Sequence, residues 1–355
     1  MITPAKLLTL AVITAVAVGA AVFSVQRSTA TSSQSERGND FLPGLIGKAN
    51  TADQVVVTDG TVKTIIKKEG DSFVHDSGYP VRGEAVGNLL TSLALLTVEE
   101  RKTDKPDLYP DLELAPPDAE DGNGRQVTVL AGSEILADLI VGTADFSVGG
   151  TRGGVYARNA TEPPAYLLRG NVAVPGTAAG WFDTQAYKFD PASILTAQIK
   201  PATGLPVRLA QSGTSKTLVL DQLPQGAAAD PTKIQRVAAL ASELSFENVR
   251  KASGKPSGHT LTTVTNTQFR YIVQGIDKMD PENAWVTIRV EPDSVKATAK
   301  ANEANQRFDG FEFKISRSNA EMFAWTVADL LKAPEPAAPG GASGLQIPGL
   351  APTPK

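Results

Sequence analysis

The stretch Val86-Gly-Asn-Leu89-Leu90-Thr-Ser-Leu93-Ala94-Leu95-Leu96-Thr-Val98-Glu99 decides the reading of the fold, because its pattern returns 148 residues later. There it runs Ile234-Gln-Arg-Val237-Ala238-Ala-Leu240-Ala241-Ser242-Glu-Leu244-Ser-Phe246-Glu247. In both stretches apolar residues recur at helical spacing and then switch to the alternation of a strand. Val86 aligns with Ile234, Leu89 with Val237, Leu96 with Leu244, Val98 with Phe246 and Glu99 with Glu247. Short strand patterns precede each helix, at 62–67 and 72–75 and again at 207–210 and 217–220. Alternating strands follow each, at 126–131 and 135–141, then at 260–265 and 268–273. The sequence predicts an α+β fold of two duplicated units. Each is a strand–strand–helix–strand–strand unit, an antiparallel sheet with helices packed on one face. A repeat this long marks a copied domain, not a solenoid.

The first unit is expected over residues 51–190 and the second, its repeat, over 191–332, with Trp181 to Thr196 as the junction. The second closes with strands at 286–291 and 311–316. A helix is expected from Asn319 to Lys332, with Met322, Phe323, Trp325, Leu330 and Leu331 as its apolar face. Residues 28–50 are rich in Ser, Thr, Gly and Asn and read as a stalk with one apolar patch, Phe41-Leu42-Pro43-Gly44-Leu45-Ile46. Residues 333–355 are dominated by Pro, Gly and Ala. Too little apolar surface is available there to offset conformational entropy, so a disordered tail is expected.

Residues 1–27 read as a membrane anchor. From Leu7 to Val25 there are 19 residues without a charge, between Lys6 and Arg27. At ~1.5 Å per residue such a helix covers roughly 28 Å, close to the ~30 Å hydrocarbon core. The run is longer than the apolar region of an ordinary signal peptide, although Ser28-Thr29-Ala30 offers a cleavage site. A signal anchor is expected, single-pass in the inner membrane, with the bulk of the chain in the periplasm. Ala11, Ala15 and Gly19 fall four apart and make a small-residue stripe, a candidate surface for helix packing.

Composition narrows the chemistry. The 355 residues include 34 Lys and Arg against 38 Asp and Glu, a net charge of −4 that argues against nucleic acid as a partner. There is no cysteine, which removes thiol nucleophiles, thiolate zinc sites and iron–sulfur ligation. The two histidines, His75 and His259, read as strand-end or surface residues, His259 in a Gly/Ser/Pro loop before a strand. The acidic stretch Asp104, Asp107, Asp111, Glu113, Asp118, Glu120 and Asp121 lacks the spacing of a calcium loop and reads as a solvated linker. Glycines 149–154 surround Arg152, the weak candidate for an anion nest. Trp181, Trp285 and Trp325 read as core. No catalytic residue, metal ligand or cofactor-binding residue is assigned, and no cofactor is expected.

Several stretches together resemble one family. They are the strands at 55–57 and 62–67, Leu89–Leu96 leading into Glu99-Glu100-Arg101-Lys102-Thr103-Asp104, and Leu108-Tyr109-Pro110-Asp111-Leu112. To these add Leu139-Ile140-Val141-Gly142, Val155-Tyr156-Ala157-Arg158, Ala165-Tyr166-Leu167-Leu168 and Trp181-Phe182-Asp183. The chain resembles envelope proteins with the domain of unknown function 4340, which occur beside gliding-type ABC transporter components. The resemblance covers about residues 55–190 well and departs at Phe73, where many relatives carry tryptophan. It implies no active site. It implies an exported accessory module, so a non-enzymatic envelope protein with an ABC transporter partner is expected. An envelope enzyme, or a small-ligand-binding protein with its pocket between the units, is the alternative.

Overall fold

Alternating apolar residues build the strands. β1 (Gln54–Asp59), β2 (Val62–Glu69) and β3 (Ser72–His75) form an antiparallel meander with β4 (Pro80–Val81) on its edge. A short helix α1 (Leu45–Lys48) precedes them, and α2 (Gly83–Ala94) follows, burying Ala85, Val86, Leu89, Leu90 and Leu93. Then come β5 (Thr97–Thr103), β6 (Arg125–Ala131), β7 (Glu134–Asp145), β8 (Gly154–Asn159) and β9 (Ala165–Arg169). The computed structural model describes residues 36–148, 153–213 and 215–332. The anchor at 1–27 with Ala11, Ala15 and Gly19, Arg152 in its glycine run, and the tail at 333–355 lie outside the described residues. Among the described residues no helix is long and apolar enough to cross a membrane.

After the short helix α3 (Ala178–Trp181) the chain enters a second sheet. Its strands are β10 (Gln185–Lys188), β11 (Ile194–Lys200), β12 (Val207–Gln211) and β13 (Leu218–Leu220), followed by helix α4 (Pro231–Ser242). Asp230 caps α4 by accepting from the Thr232 and Lys233 amides, and Pro231 occupies the first turn, where no amide is needed. β14 (Glu243–Lys251), β15 (Pro256–Thr265), β16 (Phe269–Ile276) and β17 (Trp285–Pro292) follow, then helix α5 (Thr298–Gln306), β18 (Phe311–Ile315) and α6 (Arg317–Met322).

The described residues form two antiparallel sheets of nine strands with few helices. The first runs β4-β3-β2-β1-β6-β7-β8-β9-β5; the second, read from its far edge, runs β13-β12-β11-β15-β16-β17-β18-β14-β10. Strand for strand the order is the same from β3 to β5 and from β13 to β14. Leu89, Leu93 and Leu96 are buried, as are Val237, Ala241 and Leu244. Even the outer flank matches. β10 covers the edge of β14, and residues Gly38–Phe41 cover the edge of β5, the Gly38 amide donating to the Val98 carbonyl at 2.8 Å.

Several sequence expectations change. Residues 36–50 are no stalk: Arg37 ion-pairs with Glu99, and α1 packs on α2. β10 bonds to the second sheet, so a boundary at 190/191 falls inside the second sheet's own strands. The helix expected over 319–332 is α6 followed by a separate 3-10 turn at Val327–Leu330, because a capping box between Thr326 and Asp329 starts the chain afresh. The acidic stretch is a folded insert, not a linker. Its acids face solvent, but two 3-10 turns set Tyr109 and Leu114 against Ile140 and Ala165.

Arg158, itself buried, locks that insert. Its guanidinium lies 4.5 Å from the Tyr109 ring centre and donates to the Leu114 carbonyl at 3.1 Å. Contact is so close at Gly142 that a Cβ there would sit 2.0 Å from the Leu112 carbonyl oxygen. Gly142→Ala should therefore cost about 2–3 kcal/mol in urea unfolding, by overpacking. Gly47→Ala, where a Cβ meets nothing within 4 Å, should stay within about 0.5 kcal/mol of the parent.

Candidate functional site

An aromatic contact joins the two sheets. Tyr79, at the turn between β3 and β4, is 2% exposed although it leaves its own sheet. Its ring stands edge-on to Phe311, Phe313 and Phe246 of the second sheet, at 5.1, 5.7 and 5.8 Å between centres, and to Phe182 at 5.6 Å. Burial raises its phenol above the ordinary tyrosine value, so it stays protonated while Arg307 donates to its oxygen at 3.1 Å. Arg307 follows α5 and also ion-pairs with Asp183 at 3.2 Å.

Beside this joint lies a cleft of about 490 Å³. One wall is the end of the first sheet, with Asp59, Lys63, His75 and Arg125; the other is β14 and β17, with Asn248, Arg250 and Trp285. Its charges are largely committed. Arg125 Nε donates to Asp59 at 2.8 Å. Arg250 stacks over the Trp285 ring at 4.0 Å and donates from Nε to Glu312 at 2.7 Å. Glu312 is 1% exposed and also accepts from the Ser253 and Gly254 amides, both at 2.7 Å. Burial by itself pushes that carboxyl up, but the two amides and Arg250 outweigh it and hold it below the usual carboxylate value.

The match to known families falls across this joint. The family model for a domain of unknown function (DUF4340) covers residues 72–263, more than half of the chain. The chain belongs to the DUF4340 family. No curated protein and no solved structure matches it. The DUF4340 match begins at β3, where Tyr79 follows, leaves out β1 and β2, and runs through the rest of the first sheet, α3, α4 and β14 into β15. It includes Tyr79, Phe182 and Phe246 but stops before Trp285, Arg307 and Glu312. The sequence motifs that carry the resemblance are structural in this chain. Leu108–Leu112 and Gly142 form the insert contact, Arg158 locks it, and Phe182 and Asp183 belong to the joint.

The two histidines lie apart, one on each sheet. His75 ends β3 and lines the cleft, with Nδ1 3.0 Å from Ser77 Oγ and 2.9 Å from Asp76. Burial lowers its pKa, against the opposing pull of Asp76. His259 lies inside β15, not in the loop expected, with Nδ1 3.2 Å from Ser257 Oγ, and burial lowers its pKa too. Of the tryptophans only Trp181 is fully buried; Trp285 and Trp325 are half-exposed and each lies under an arginine, Arg250 and Arg236. Among the described residues no group of three or more His, Asp or Glu could hold a metal ion. Reading the sequence missed Tyr79, Arg307 and the Arg250–Glu312 pair. The only signal was the alternation of Phe311 and Phe313 around a glutamate that points inward.

Glu312 gives a pH signature. A carboxyl depressed in the folded state contributes stability above its unfolded value of ~4.3 and loses it as pH falls through its folded value. Glu312→Gln should cost about 1–3 kcal/mol at pH 7. It should also flatten the fall in stability below about pH 4. Parallel slopes for the two proteins in acid unfolding would refute this role.

Proposed function

We propose that this protein is a non-enzymatic, single-pass protein of the inner membrane, anchored by residues 7–25, with its two sheets in the periplasm as a binding or accessory module. Its partner is a protein complex of the envelope, with an ABC-type transport system as the assembly the family resemblance points to. The two sheets are read as copies of one ancestral unit, on the strength of their common strand order.

One observation carries the binding reading. The far end of the second sheet, away from the joint, is apolar at its surface. Leu205 is 79% exposed, and with Pro206, Leu220, Leu223, Pro224 and Val327 it forms the apolar part of a hollow of about 630 Å³, rimmed by Gln198, Arg208 and Gln222. The outermost strand beside it, β13, ends the sheet order. Contiguous exposed apolar surface of this kind marks an interaction site. The anchor stripe of Ala11, Ala15 and Gly19 is the second candidate contact. A smaller reading, a small-ligand module, is favoured by the cleft between the sheets, where Trp285 and Arg250 would face a bound molecule.

In cell fractionation the protein should remain with inner membranes after carbonate extraction; recovery in the soluble periplasm would overturn the anchor. Crosslinking and co-purification from solubilised membranes should yield a stable partner. Leu205→Asp with Leu223→Asp should reduce that recovery at least tenfold. Loss on replacing the anchor, with the double variant still binding, would move the contact to the stripe. A protein recovered alone, whose tryptophan fluorescence responds to a small metabolite, would favour the cleft.

A further inference from the structure

In the first sheet the flank of α2 is covered by the chain's own N-terminal segment. α1 and the 3-10 turn Ala49–Thr51 lie against it, and Leu45 is 2% exposed. The segment reads Leu42-Pro43-Gly44-Leu45, with Gly44 in the left-handed region (φ 84°), a conformation that glycine adopts without strain. In the second sheet the equivalent connection, from β10 to β11, is only residues 189–193. It keeps the 3-10 turn, Pro191–Ser193, against α4 but has no counterpart of α1.

A groove of about 570 Å³ stands open there, lined by Pro191, Ile194, Leu218, Val219, Ile234 and Ala238 among others. The helices register the difference. Val86 and Leu90 on α2 are buried, whereas Ile234 and Ala238, the residues 148 positions later on α4, are only half-buried.

The described chain ends beside this groove. Leu331 bridges to Ala229, which lines it, and the Lys332 amide donates to the Ala228 carbonyl at 2.8 Å. Further along, the sequence reads Ile347-Pro348-Gly349-Leu350, repeating the apolar-Pro-Gly-Leu order of residues 42–45. The link of residues 333–346 reaches up to about 45 Å when extended, and such tethering holds a segment at roughly millimolar effective concentration. We propose that residues 345–351 of the chain's own C-terminal tail dock in the groove beside α4 and β13. Leu350 takes the place on α4 that Leu45 takes on α2. The contact goes beyond the binding reading above and uses different residues.

The absence of cysteine makes a clean test, because introduced thiols are the only ones present. In the full-length protein, Gln235→Cys on the groove rim is paired with Ala351→Cys, or with Ser343→Cys outside the repeated motif. The first pair should close an intramolecular disulfide at least tenfold faster than the second. Adding Leu350→Asp to the first pair should remove that advantage. Equal rates for the two pairs, or an advantage that survives Leu350→Asp, would overturn the proposal. A disulfide between two chains, formed faster at higher protein concentration, would assign the groove to a second copy's tail and overturn it equally.

Discussion

The structure depends on an aromatic ring that leaves its own sheet. Tyr79 packs its ring against Phe246, Phe311 and Phe313 of the second sheet. Each edge-to-face pair contributes about 0.5–1.5 kcal/mol beyond simple burial, and the ring has three across the joint. A buried phenol without a partner would cost much of this gain, and Arg307 removes that cost. Because the joint is fixed, the walls of the cleft beside it are fixed, and the apolar end of the second sheet is directed away from the first.

The two sheets share one strand order and differ in what is inserted into it. The first sheet carries the insert between β5 and β6, which covers its outer face through Tyr109 and Arg158. The second carries α5 between β17 and β18, and that helix brings Arg307 to the joint. In the same helix Asn305 bonds both to the amide and to the carbonyl of Val290, each at 2.8 Å, so the insertion is braced on β17 as a further strand would be. Each insertion therefore completes a surface that a bare unit would leave exposed.

The regular elements were legible in the sequence because their signals are local and periodic. The helices at 83–94 and 231–242 and the strands around them follow from apolar spacing, and the two helices lie 148 positions apart. The insert at 104–124 was not legible: its seven acids dominate the composition, while the residues that pack, Tyr109 and Leu114, are few and far apart. The C-terminal helix was overextended because Phe323, Trp325 and Leu330 fit a helical face, although Thr326 and Asp329 interrupt it. The joint was not legible at all. Tyr79 lies 167 positions before Phe246, and no local pattern encodes a pairing at that distance.

Equilibrium unfolding of the full-length protein in urea, followed by tryptophan fluorescence and by far-ultraviolet circular dichroism, tests the joint most directly. With the sheets held as one body by Tyr79, both signals should report a single coincident transition. Tyr79→Ala should lower stability by about 3–5 kcal/mol, as loss of a buried aromatic ring does. Tyr79→Phe should lose only about 1 kcal/mol, the share of one hydrogen bond. Two separate transitions in the parent protein, with Tyr79→Ala within about 1 kcal/mol of it, would contradict the account.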